Sequence, residues 1–125
     1  MKSWTDWKDL TSENIRTVRK GTIGVYVIRK KGSVGNNESD IIWIGQAGGG
    51  RQGIDQRLRY LLNGLKSSRP KSKNHSAVHE MKKHLKAGLQ FSWLECCQAP
   101  DGVEKALLLA FWVSTGKLPD CNKKF

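Results

Sequence analysis

The chain has 125 residues, 38% of them apolar and 26% charged, with 22 Lys and Arg against 11 Asp and Glu for a formal charge of +11. That size suits a single domain with a real core, and the composition excludes a disordered tail. No run approaches the roughly 20 apolar residues of a membrane span, and Met1–Asp6 lacks a secretory signal's apolar segment. The three cysteines (Cys96, Cys97, Cys121) form no CxxC pair, so a cytosolic protein without a disulfide framework or structural zinc is expected.

In chain order, residues 3–20 predict a short amphipathic N-terminal helix or helix-turn, with Trp4, Trp7, Leu10, Ile15 and Val18 as its apolar set. Ile23–Ile28 is rich in β-branched residues and predicts a strand. A Gly- and Asn-bearing turn over 32–40 follows, then a second strand over Ile41–Gly45, antiparallel to the first because the connection is short. The glycine-rich stretch 48–53 opens a helix whose apolar residues Ile54, Leu58, Leu61, Leu62 and Leu65 form one stripe. Ser67–Pro70 stops it, and Lys71–Asn74 is a basic loop.

A second helix is expected from about Ser76 to Ala87, with Val78, Met81 and Leu85 inward. Leu89–Leu94 predicts a third strand. Glu104–Val113, apolar on all sides, predicts a central, buried last helix. The order β-β-α-α-β-α implies an α+β fold: a small three-stranded, mainly antiparallel sheet flanked by helices. Residues 1–20 would be a helical extension to a domain over 21–125.

The charge is concentrated. Residues 51–88 hold 10 basic and 2 acidic side chains, whereas 89–125 hold 4 of each. Arg51, Arg57, Arg59, Lys66, Arg69, Lys71, Lys73, Lys82, Lys83 and Lys86 form the footprint expected for a phosphate backbone, with salt-sensitive binding. A solvated face serving solubility is the plainer alternative. Membrane-surface binding is disfavoured, because the basic segments lack a large aromatic or leucine face.

Several residues are candidates for chemistry. Gly48-x-Gly50-x-x-Gly53 fits a dinucleotide fingerprint, but Lys73 stands where the ribose-binding acid belongs and no parallel βαβ units follow. Glu104 shares a helix face with Leu107, Leu108 and Phe111; it either closes a capping box with Asp101 as N-cap or holds a divalent metal. Arg57 sits about 80–90° from the centre of its helix's apolar stripe, placed to snorkel or to grip a phosphate; Tyr60 points away. His75, His79 and His84 lack a zinc pattern, and His75, beside the basic loop, suits a phosphate contact or proton shuttle. Tyr26 and Trp43 sit on neighbouring strands as a cross-strand aromatic pair, or Tyr26 offers an exposed phenol whose proton is made labile by cations.

Taken together these segments resemble the GIY-YIG nuclease family. Gly24-Val25-Tyr26 and Trp43-Ile44-Gly45 resemble its paired strand motifs. Ile54–Leu58 resembles the helix bearing its arginine, and Asn74-His75-Ser76 its His-Ser motif. Glu104 opens a helix as the family's metal-binding glutamate does, and Pro119-x-x-Asn122 resembles the terminal asparagine motif. Trp43 replaces the second tyrosine, and the loop between the two strand motifs is longer than usual.

The resemblance implies a metal-dependent DNA endonuclease that hydrolyses phosphodiesters in one step with water as nucleophile; DNA is the expected partner, and RNA stays open. Glu104 would hold one Mg²⁺ or Mn²⁺, and Tyr26, its pKa lowered by the metal and nearby cations, would take the water's proton with His75 as relay. Arg57 would stabilise the transition state. Trp43 would support the site, and Asn122 would orient Glu104 or tie down the C-terminal segment. A monomer or transient homodimer, with or without a targeting partner, is expected. A nucleic-acid-binding module of the same fold with weak or no turnover is the alternative.

Overall fold

A computed structural model describes residues 4–31, 40–48, 53–67, 76–96 and 100–122. Along the chain run β1 (Lys8–Asp9), α1 (Ser12–Ile15), β2 (Gly24–Lys30), β3 (Ile41–Ala47), α2 (Ile54–Lys66) and α3 (Ser76–Met81). A 3₁₀ segment (Lys82–Ala87), β4 (Leu89–Glu95) and α4 (Pro100–Thr115) complete it. The fold is α+β, and the sheet has four strands, not three, in the order β1-β4-β2-β3 with every pair antiparallel.

The additional strand comes from the segment expected to be helical. Thr5, Trp7 and Leu10 run extended beside β4: the Thr5 amide donates to the Trp93 carbonyl at 3.1 Å and the Leu10 amide to the Leu89 carbonyl at 2.9 Å. The Thr5 hydroxyl accepts from the Trp93 amide, while the buried Ser92 hydroxyl donates to the Thr5 carbonyl. An isolated short helix is marginal, whereas the edge of β4 offers backbone partners that would otherwise need solvation. Helix survives only as α1, one turn capped by Thr11, whose hydroxyl accepts from the Asn14 amide.

The two faces of the sheet carry separate cores. Tyr26, Ile28, Ile42 and Phe91 face α1, α2 and α3, packing with Ile15, Leu58, Leu61, Leu62 and Met81. Val27 and Ile44 face Leu108 and Phe111 of α4, with Trp7, Leu107 and Leu118 against them. A bulge where β2 steps from Ile28 to Arg29 pairs Ile28 with Trp43 and Arg29 with Ile41. Ile42 is thereby left over and buries on the α2 side beside Trp43.

Two helices depart from the sequence reading. The second holds α-geometry only to Met81. Tightening to three residues per turn moves the next inward position from Leu85 to His84, so Leu85 is 45% exposed and His84 half-buried. The last helix starts at Pro100, a residue suited to the first helical position, and is not buried all round. Leu108 and Phe111 are buried, while Leu109, Trp112 and Val113 stand at 52%, 48% and 72% exposure.

Candidate active site

Four elements meet at a pocket of about 140 Å³ beside the β3 edge, lined by Tyr26, Trp43, Gly45, Gln46, Arg57, Tyr60, Leu61 and Glu104. β2 is an inner strand and carries Tyr26 opposite Gly45 of β3, with Trp43 diagonal to it on the same face. The missing Cβ of Gly45 makes room for both rings. A Cβ there would lie 2.6 Å from Trp43 Nε1, 2.6 Å from Tyr26 Cζ and 2.7 Å from the Tyr26 hydroxyl.

α2 is docked by its first turn. The Ile54 amide donates to the Thr22 carbonyl at 2.8 Å, and Gly53 approaches Gly21 so closely that a Cβ on Gly53 would lie 2.6 Å from Gly21 Cα. Asp55, 2% exposed, accepts the Gly21 amide at 3.0 Å and pairs with Arg59 at 3.4 Å. Asp55 carries no motif of its own; an acid in the first turn of a helix, where the macrodipole favours it, is its signal in the sequence. This anchoring turns Arg57 into the pocket, where its Nε is buried without a hydrogen-bond partner among the described residues. A buried guanidinium N–H of this kind costs stability unless a ligand meets it.

Glu104 reaches the pocket from the second turn of α4. Asp101 lies inside that helix and not at its N-cap, so the expected capping box does not form as drawn. Desolvation first, then Asp101, raise the Glu104 pKa above its ordinary value, with Lys105 and Arg57 opposing. Among the described residues no three His, Cys, Asp or Glu converge on a metal site, so Glu104 is the pocket's lone carboxylate.

Tyr26 corrects one expectation. Its side chain is buried, at 3% exposure, not displayed on the sheet surface. Burial also raises its pKa; the Trp43 side chain and the Arg57 charge pull it back down, and the Glu104 charge adds to the rise. An indole N–H donates only, so Trp43 favours the phenolate but cannot take a proton. Tyr60 points away from the apolar stripe as expected, more than half exposed, and from there it stands at the pocket mouth. Neither Tyr60 nor Gln46 carried a motif that would have marked it.

Asn122 is a tie and does not line the pocket. Its amide oxygen accepts from the Ile44 amide at 2.9 Å while its amide nitrogen donates to the Ile44 carbonyl at 3.0 Å. Of the proposed basic contacts, Arg59 and Lys66 are exposed on α2. Lys82 donates to the Ser67 carbonyl at 2.8 Å, and Lys83 pairs with Glu80. Lys86 lies in the 3₁₀ segment, its side chain outside the description. Arg51, Arg69, Lys71, Lys73 and His75 lie outside the described residues, as do residues 49–52 of the glycine-rich stretch and Cys97. His84 meets Asp120 at 3.5 Å away from the pocket.

A larger groove of about 490 Å³ lies between the N-terminal segment and α4, lined mainly by Trp4, Trp7, Val27, Ile44, Ala110 and Phe111. It is apolar and brings together no catalytic set. No helix among the described residues is long and apolar enough to cross a membrane. Neither family models, nor curated proteins, nor solved structures match the chain.

Proposed function

We propose that this chain is a metal-dependent endonuclease of the GIY-YIG type, hydrolysing DNA phosphodiesters at the Tyr26–Arg57–Glu104 pocket. One observation carries the reading. A phenol, a guanidinium and a carboxylate from three separate elements share a single small pocket, and the guanidinium brings a buried N–H with no protein partner among the described residues. Arg is the side chain best shaped to grip a phosphate with charge assistance, and Arg57 lines this pocket.

Mg²⁺ is commonly held by one or two carboxylates together with substrate phosphate and water, so Glu104 suffices as the protein's ligand for Mg²⁺ or Mn²⁺. The ion would neutralise charge on the leaving oxygen. Arg57 binds the scissile phosphate and stabilises the charge that gathers on its equatorial oxygens. Tyr26 lies protonated at rest because burial favours the neutral phenol. Its hydroxyl orients the attacking water, and Arg57 together with the Trp43 indole stabilises the phenolate whenever Tyr26 acts as base. The exposed cations of α2 draw the polyanionic strand toward this mouth.

A binding module without turnover is the second reading. It is favoured by Trp43, which offers a donor where the family's second tyrosine offers a titratable hydroxyl. Supercoiled plasmid incubated with and without Mg²⁺ or Mn²⁺ separates the two. Metal-dependent nicking lost in Glu104→Ala and Arg57→Ala supports hydrolysis. Salt-sensitive binding without nicking in either metal supports the module. Undiminished nicking by both variants rejects this pocket as the site.

A further inference from the structure

The pocket encloses about 140 Å³, well below the roughly 300–1,000 Å³ of pockets that enclose a drug-sized ligand. It admits a phosphate group and not a whole nucleotide. When Arg57 holds a phosphate there, the sugar and base beside it lie outside, against whatever forms the mouth. Tyr60 forms part of that mouth and is 55% exposed. It follows Arg57 by three residues on α2, so the two side chains are neighbours on the helix surface.

We propose that Tyr60 stacks on an unpaired base adjoining the phosphate held by Arg57, so that the protein selects strands with unstacked nucleotides over continuous duplex. This deepens the reading above and takes from it only the position of the phosphate. Every base presents a π-face, and stacking on an aromatic side chain therefore tolerates any sequence. In a continuous duplex both faces of each base are covered by its neighbours. A side chain reaches a base face only where the stack is already broken or the base is extruded. The other aromatic residues of the pocket cannot serve: Tyr26 is buried within the sheet core and Trp43 packs against it. Tyr60 alone among the pocket's aromatic residues exposes more than half its surface.

The test measures binding and cleavage separately. Fluorescence anisotropy, at low salt without divalent metal, compares a labelled duplex with the same duplex carrying a short central bubble. Wild type binds the bubble at least about fivefold more tightly. Tyr60→Ala reduces that ratio roughly 5- to 100-fold or to unity, the range equivalent to base–aromatic stacking. Tyr60→Phe retains the preference because the ring remains, and Tyr60→Leu loses it because bulk alone does not stack. No bubble preference in the wild type, an unchanged ratio in Tyr60→Ala, or a Leu variant equal to Phe overturns the proposal. Adding Mg²⁺ or Mn²⁺ then tests hydrolysis on the same substrates. A Tyr60-dependent preference without cleavage upholds stacking and rejects the nuclease reading, and cleavage without such a preference does the reverse.

Discussion

Gly45→Ala tests whether the geometry of the pocket is as tight as described. The added methyl would lie 2.6 Å from Trp43 Nε1, 2.6 Å from Tyr26 Cζ and 2.7 Å from the Tyr26 hydroxyl, where carbon and its neighbours need roughly 3.5 Å or more. Tyr26 is 3% exposed, and its strand is paired on both sides, so its ring does not retreat without disturbing the core. Overpacking of this kind costs about 1–3 kcal/mol. For a chain of this size each kcal/mol moves Tm by roughly 3–6 °C, so a fall of about 3–18 °C is expected. Gly48→Ala is the matched control: its methyl meets only Gln46 Oε1, at 3.7 Å, and the change should lie within about 0.5 kcal/mol of wild type. Urea titration and thermal melting of both variants decide the matter. If Gly45→Ala melts no lower than Gly48→Ala, the described contact between the two rings and the β3 backbone is wrong. Displacing the phenol by even 1 Å should also lower plasmid nicking about 10²-fold.

Three further outcomes are expected. Arg57→Lys keeps the charge but loses the planar fork; nicking should fall roughly 10²- to 10³-fold while gel-shift affinity, carried by many cations, changes far less. Burial holds the Glu104 carboxyl above its ordinary 4.5, so folding favours its protonated form, and that stabilisation is present below 4.5 and lost as pH rises through the folded-state value. Glu104→Gln should therefore be more stable than wild type at pH 7 in urea titrations, with the gain vanishing toward pH 4, while nicking is lost. Phe91→Ala removes a fully buried ring stacked on Trp93 at 5.8 Å and should cost about 3–5 kcal/mol by urea titration.

Where the hydrophobic pattern is clear, the sequence is legible. The stripe from Ile54 to Leu65 sets α2, β-branched runs set β2 and β3, and alternation over Leu89–Leu94 sets β4, each within a few residues. The N-terminal segment is not legible, because its structure is decided by the open edge of β4, which no local pattern reveals. Likewise, α4 reads as buried on composition alone, yet only its Leu108 and Phe111 side meets the sheet. Of the candidate site, Tyr26, Arg57, Glu104 and Trp43 are reached by motif spacing. Asp55, Gln46 and Tyr60 are not, since their roles depend on which elements pack together. The burial that raises the Tyr26 pKa is likewise a property of the assembled core and not of its strand.

The Asn122 amide meets Ile44 as a neighbouring peptide unit would, and the Cys121 amide adds a bond to the Ile42 carbonyl at 2.8 Å. A single turn thus occupies outward-facing backbone groups of β3 that another chain could otherwise pair with. Seventy-eight residues separate Asn122 from Ile44, so this seal closes a long loop of the chain. A local opening of residues 119–122 would bare a strand edge while the rest of the domain stays folded. The turn is therefore a guard against edge-to-edge association, and loosening it would show first as aggregation and only later as a lower melting temperature.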